Sequence, residues 1–144
     1  MIRRATPADH DGLKAAIVAA YAPFAAQGLA LPAVSEGLDG DIRDHQVWVA
    51  DDRGVILGGV VLVLRDGRAT LANLAVHPTW GGQGLGHALV DTVVSAAQEA
   101  GCSAIDLTTH REMTATQDFY ARMGWTKSGT DGDKIAYTLD LTKG

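Results

Sequence analysis

The stretch Leu74-Ala75-Val76-His77-Pro78-Thr79-Trp80-Gly81-Gly82-Gln83-Gly84-Leu85-Gly86-His87-Ala88-Leu89 changes its period halfway along. Residues up to Val76 read as the end of a strand, four of the chain's 17 glycines follow within six residues, and from Gly84 onward the apolar residues fall at helical spacing. A strand, a glycine-rich loop and a helix start, in that order, suit an anion. Glycines expose backbone N–H groups and permit close approach, and the helix N-terminus adds positive potential. Two nucleotide-binding spacings fail on the same residues. A P-loop begun at Gly81 meets His87 where lysine belongs, and the dinucleotide pattern G-x-G-x-x-G ends on His87 or Leu89 in its two registers.

Upstream, residues 47–50, 55–64 and 69–76 are β-rich runs joined by Asp51-Asp52-Arg53-Gly54 and by Asp66-Gly67, which predicts an antiparallel meander. Residues 2–4 read as a short strand before it. Thr6 as N-cap, Pro7 at the first helical position and Asp9 in the first turn open a helix carrying Leu13, Ala16, Ile17, Ala20 and Tyr21, expected to stop ahead of Pro23. Ser35, Glu36, Leu38, Asp41 and Ile42 cap and fill a short second helix. Downstream of the loop, Leu85, Ala88, Leu89, Thr92, Val93, Ala96 and Ala97 form one stripe that ends at Gly101. Ile105, Leu107 and Thr109 alternate as a strand. Thr114-x-x-Gln117 is a capping box for a helix bearing Phe119 and Met123, with Gly124 as its left-handed C-cap. Residues 125–127 and the run Ile135, Tyr137, Leu139, Leu141 close the chain as a hairpin around residues 130–133. The expected order is β-α-α-β-β-β-α-β-α-β-β. This is an α/β fold, one domain over residues 1–144, with a mixed, mostly antiparallel sheet flanked by helices.

Composition narrows the function. Twelve Lys+Arg against 17 Asp+Glu leave a net charge of −5, without the basic footprint that nonspecific nucleic-acid binding requires. The single cysteine, Cys102, allows neither an intrachain disulfide nor a cysteine-based zinc cluster. His10, His45 and Trp48 show no metal-like spacing. The longest apolar run, residues 55–64, is half a membrane span and contains Gly58-Gly59, and the N-terminus lacks the apolar core of a signal peptide. A cytoplasmic protein is expected, with neither nucleic acid nor membrane as partner.

Gly84-Leu85-Gly86 behind the turn Val76-His77-Pro78 resembles the cofactor loop, Gln/Arg-x-x-Gly-x-Gly/Ala, of the GNAT superfamily of acetyl-CoA-dependent N-acetyltransferases. One strand later, Phe119-Tyr120-Ala121-Arg122-Met123-Gly124-Trp125 is similar to that family's Phe-Tyr-x-x-x-Gly-Phe signature. The resemblance implies acetyl-CoA as cosubstrate, no metal, and direct transfer to a primary amine of a small-molecule or peptide acceptor. It implies that Leu74, Ala75 and Val76 meet the pantetheine arm at a splayed sheet edge, Leu74 and Val76 through backbone groups. Gly82, Gln83, Gly84, Leu85, Gly86 and His87 would take the pyrophosphate, and Phe119 would lie beside the cofactor. Tyr120 would protonate the departing thiolate as general acid. Dimerisation is common in the family, so a homodimer is compatible with the resemblance.

The chain departs from the family pattern at Gly81, where Gln or Arg is usual, and no Lys or Arg occurs between Arg68 and Arg111. Backbone N–H groups and the helix terminus must therefore carry the anion. The acceptor amine must also lose a proton, which for an alkylamine of pKa about 10.4 costs roughly 4–5 kcal/mol at pH 7. Residues 69–73, where many family members place Glu, hold no carboxylate. His110 is the candidate base, with Glu36 or Asp39 as alternatives, whereas Cys102 reads as a small core residue. Glu36, Asp39, Asp41, Asp44, Asp131 and Asp133 outnumber Arg43, Lys127 and Lys134 near the segments that set substrate choice in the family, a bias toward a cationic acceptor. The reading from another class is a non-catalytic acyl-CoA-binding sensor or interaction module on the same fold.

Overall fold

Two tight turns set the first half of the sheet. Arg53 and Gly54, with φ of 55° and 90°, and Asp66 and Gly67, with φ of 49° and 81°, each put two successive residues in the left-handed region. That geometry matches the right-handed twist of the strands it joins. The strands are β2 (Gln46–Asp52), β3 (Val55–Arg65) and β4 (Arg68–Val76), antiparallel in sequence order. The computed structural model of the chain describes residues 1–26 and 37–142. Its other strands are β1 (Ile2–Arg4), β5 (Ala104–His110), β6 (Thr126–Asp131) and β7 (Lys134–Asp140), and its helices are α1 (His10–Ala26), α2 (Leu38–Asp44), α3 (Leu85–Glu99) and α4 (Thr114–Arg122). The seven strands form one sheet in the order β1-β2-β3-β4-β5-β7-β6, antiparallel except between β4 and β5. Element order and fold class are those expected.

The sheet is covered on both faces. Leu89, Val90, Val93 and Ala97 of α3 bury against Val60, Leu62, Leu71, Ile105 and Leu107, and Tyr120 and Trp125 join the same cluster from the α4 side. On the opposite face Leu13 and Ile17 of α1 pack on Val47, Val49 and Val61. The expected stripe on α3 is shifted: Val90 belongs to it, while Thr92 stands at its edge and donates its hydroxyl to the Ala88 carbonyl at 2.9 Å.

Four local expectations are corrected. Helix α1 runs through Pro23 to Ala26, because the proline costs it only the bond to the Ala19 carbonyl and Phe24 in the added turn meets the Tyr21 ring at 6.4 Å. Helix α2 starts at Leu38 behind Gly37, whose φ is 76°, and the proposed cap Ser35 lies outside the described residues. Helix α4 is capped by Met113 and has no side-chain cap bond, so Thr114-x-x-Gln117 is no capping box. Burial of Met113 draws the helix start back by one residue, and the Gln117 amide instead donates to the His110 and Arg111 carbonyls at 3.2 and 3.0 Å. Strand β6 extends to Asp131, with the turn at Gly132 and Asp133.

The entry to α1 carries the buried acid Asp9. Its carboxylate accepts from the Arg3 guanidinium at 2.7 and 2.9 Å and from the Thr6 amide at 2.8 Å, tying β1 to the helix start. Hydrogen bonds from Arg3 outweigh the opposing cost of burial and, with the Thr6 amide, hold this carboxyl down to about 2. An unfolded aspartate titrates at about 3.9, so this pairing stabilises the fold fully above that value and its contribution is lost as the pH falls toward the folded value. Unfolding measured from neutral pH downward is expected to show such an acid limb in the wild type. Asp9→Asn should be less stable at neutral pH, with that limb flattened.

Candidate active site

The parallel ladder between β4 and β5 is short. Arg68, Ala69 and Thr70 pair with Ala104, Ile105 and Asp106, and then both strands continue without bonding to each other. The Arg68 guanidinium clasps the vertex, donating to both oxygens of Asp106 at 2.8 and 3.0 Å. Strand β4 bends away because it carries an extra residue. Val61 faces Asn73 while Leu62 faces Leu71, so Ala72 is unpaired in a bulge, which kinks a strand and steepens its twist. The result is a cleft of about 510 Å3 between the diverging strands, roofed by the end of α1 and floored by α4.

Strand β4 turns a free edge toward this cleft. The His77 amide donates to the Leu57 carbonyl at 2.8 Å, and backbone direction alternates along an antiparallel pair. Ala75 and Asn73 therefore turn their N–H and C=O groups toward β3, and Leu74 and Val76 turn theirs into the opening. These are the two residues expected to offer backbone groups. Ala75 also lines the cleft, while its side chain belongs to the α1 face of the sheet.

At the mouth, the His77 ring accepts from the Thr79 amide at 3.2 Å and the Gly81 amide donates to the Pro78 carbonyl, so the chain makes one 3-10 turn before the glycines. Gly82 and Gly84 take φ of 77° and 78°. The first intrahelical bond of α3 runs from the Ala88 amide to the Gly84 carbonyl, which leaves the N–H groups of residues 84–87 without a helical acceptor. Gly81 and Gly82 line the cleft itself, whereas Gln83, Gly84, Leu85, Gly86 and His87, next along the chain, are not among its lining residues. A Cβ on Gly86 would stand 3.6 Å from Phe119 and 3.9 Å from Val76, so the first turn of α3, α4 and the end of β4 converge there. The His87 side chain is exposed and meets Asp91 one turn on, at 3.1 Å.

Tyr120 sits in the last part of α4 with its ring edge-on to Phe119 at 5.2 Å and to Trp125 at 5.3 Å. It is 3% exposed and, with Phe119, forms part of the cleft wall. Burial, with a smaller contribution from Tyr21 nearby, pushes the Tyr120 phenol above the ordinary tyrosine value, and burial raises Tyr21 as well. Tyr21 and Phe24 of α1, which line the cleft along with Asn73, Thr108 and Thr109, were not expected there. The i, i+3 spacing that marks them is the same spacing that marks a core stripe.

The structure brings together Leu74, Ala75, Val76, Gly82, Phe119 and Tyr120 and leaves His110 out of the cleft wall. The His110 Nδ1 accepts from the Glu112 amide at 3.0 Å, and its Nε2 lies 3.9 Å from Asp133. Asp39 is exposed on α2, 3.5 Å from the His10 ring, and Glu36 lies outside the described residues. Asp44 pairs with Arg43, and Asp133 with Arg111. Cys102 is a free, buried thiol between α3 and β5. Among the described residues no group of three His, Cys, Asp or Glu could hold a metal ion, and no helix is long and apolar enough to cross a membrane.

The sequence matches a family model described as acetyltransferase (GNAT) domain over residues 43–127. No curated protein matches it. Among solved structures, the PaiA N-acetyltransferase of Thermoplasma acidophilum in complex with coenzyme A superposes with a TM-score of 0.87 at 18% identity, covering 97% of this chain and 98% of that one. The ribosomal-protein-S18-alanine N-acetyltransferase of Escherichia coli gives 0.82 at 19% identity, over 100% and 95% of the two chains. YncA of Salmonella typhimurium, with its cofactor acetyl-CoA, gives 0.77 at 18% identity over the same shares. At these identities the likeness is one of fold.

Proposed function

The chain belongs to the GNAT acetyltransferase family and is an acyltransferase, and from that premise we propose that it moves the acetyl group of acetyl-CoA directly to a primary amine of a small-molecule or peptide acceptor within the β4–β5 cleft. One observation carries this reading: the free edge of β4 at Leu74 and Val76 runs alongside the wall that holds Tyr120. An arm of alternating amide groups can lie along such an edge as a further strand would. The amides of residues 84–87, at the positive end of a 15-residue helix, suit a pyrophosphate on a stretch of chain that holds no Lys or Arg between Arg68 and Arg111. Two of the structural relatives hold coenzyme A or acetyl-CoA, which supports the same cosubstrate here.

Acetyl-CoA supplies an acyl group already activated as a thioester. The protein's part is to hold it with backbone groups, exclude water with Phe119, Leu74 and Val76, and keep the Tyr120 hydroxyl protonated beside the sulfur. As the amine nitrogen bonds to the carbonyl carbon and the carbon–sulfur bond breaks, Tyr120 gives its proton to sulfur, and the proton shed by nitrogen restores the balance through solvent. His110, its Nδ1 already accepting a hydrogen bond, is not needed for that route. Residues 1–144 act as one domain, since β1 and β6 are the two edges of one sheet, and the protein works in the cytoplasm, in keeping with its unpaired Cys102.

Millimolar CoA or acetyl-CoA is expected to raise the melting temperature, and an amine panel should release free thiol with at least one acceptor. Absence of any shift would overturn the cosubstrate. A shift with no thiol release from any amine would favour the non-catalytic sensor instead.

A further inference from the structure

Acetyl transfer fixes what happens at the amine and says nothing of the body that carries it. The lining of the cleft includes the Tyr21–Phe24 ring pair, at 6.4 Å and 56°, together with Met113 and Leu107. Its polar side chains are neutral: the amide of Asn73, the phenols of Tyr21 and Tyr120, and the hydroxyls of Thr108, Thr109 and Thr116. None of the described lining residues carries a charge at neutral pH. The carboxylates on α2 and on the β6–β7 turn lie elsewhere, Asp44 and Asp133 already paired with arginines.

We propose, resting on the acetyltransferase reading above, that the acceptor is a monoamine whose body is apolar and preferably aromatic, seated against Tyr21 and Phe24. A ring or branched aliphatic group there replaces water on two aromatic faces and gains edge-on contact. Among the described lining residues, the second ammonium of a polyamine or an amino sugar would meet no carboxylate, and the carboxylate of a free amino acid would meet no cation; both lose hydration without compensation. A terminal amide or peptide bond next to the amine is admissible, because the threonine hydroxyls of the lining supply neutral partners. Arylalkylamines and peptides with an apolar first residue share this chemistry.

The test measures thiol release from acetyl-CoA with phenethylamine, phenylalaninamide, a peptide beginning with Phe, a peptide beginning with Asp, putrescine and spermidine. The expected kcat/KM for the apolar-bodied amines is about tenfold or more above that for putrescine and spermidine. A small-molecule and a peptide source are separated by whether phenethylamine or the Phe peptide is preferred. Tyr21→Ser and Phe24→Ser should each raise KM for the aromatic amines without changing KM for acetyl-CoA, and a retained CoA-induced melting shift shows that each variant is folded. Preference for the polyamines, or an unchanged ranking in both variants, would overturn the acceptor class while leaving the acetyltransferase reading intact. No CoA shift in the wild type, or no turnover with any amine, would overturn both.

Discussion

Tyr120→Phe is expected to lower kcat about a hundredfold or more, the usual scale for losing a positioned proton donor, with little change in KM for acetyl-CoA. The substitution keeps the ring and its edge-on contacts to Phe119 and Trp125, so neither the cleft wall nor the core cluster loses volume. Only the hydroxyl goes. A drop confined to kcat would therefore report the missing proton and not a collapsed site. The pH dependence supplies a second check. Burial raises the Tyr120 phenol above its ordinary value of about 10, so the hydroxyl stays protonated through the neutral and mildly alkaline range. Wild-type kcat should show no descending limb from this group below about pH 10, because an acid works only in its protonated form. Turnover unchanged in Tyr120→Phe, measured by thiol release under saturating acetyl-CoA, would remove the residue from the mechanism.

What the sequence disclosed about this site follows from how far apart the interacting residues lie. Gly84-Leu85-Gly86 is a local device: φ of 78° at Gly84 and a helix start are decided within a few residues, so a short motif reports them. The adjacent aromatics Phe119-Tyr120 are likewise placed by one helix. The splay between β4 and β5 is a different matter. It depends on Ala72 being skipped in the pairing of β3 with β4, and nothing in the run Leu71-Ala72-Asn73 marks which of its residues the partner strand will leave unpaired. Tyr21 and Phe24 were hidden for a related reason, since residues at helical spacing look alike whether they face a core or a cleft, and Pro23 between them reads as a stop. The acidic residues that bias the sequence toward a cationic acceptor are not placed by their number: Asp39 lies out on α2, Asp44 and Asp133 meet arginines, and Glu36 lies outside the described residues. Charge counted along a chain does not say which surface it faces.

Gly58→Ala should be among the most damaging small substitutions outside the cleft, and its effect should reach the cosubstrate. Gly58 lies opposite Val76 in the β3–β4 ladder, and a Cβ there would overlap the Ala75 carbonyl oxygen and stand 3.1 Å from the Val76 Cα. These are backbone atoms, which cannot rotate aside as a side chain would. The strands must separate locally, at a typical overpacking cost of about 1–3 kcal/mol, or a melting temperature lower by roughly 3–10 °C for a chain of this size. The same displacement moves Val76, one of the two residues that turn backbone groups into the cleft, and strains the His77-to-Leu57 bond just beyond it. KM for acetyl-CoA should therefore rise several-fold, because positioning tolerances at such sites are well under about 1 Å. Gly129→Ala on β6 is the matched control: its Cβ would meet nothing within 4 Å, and its φ is not positive. It should leave KM unchanged and stability unchanged or slightly improved, as replacing a strand glycine does where space and φ allow. If Gly58→Ala melted with the wild type and bound acetyl-CoA equally well, the close approach of β3 to β4 would have no part in shaping the edge on which the cosubstrate reading rests.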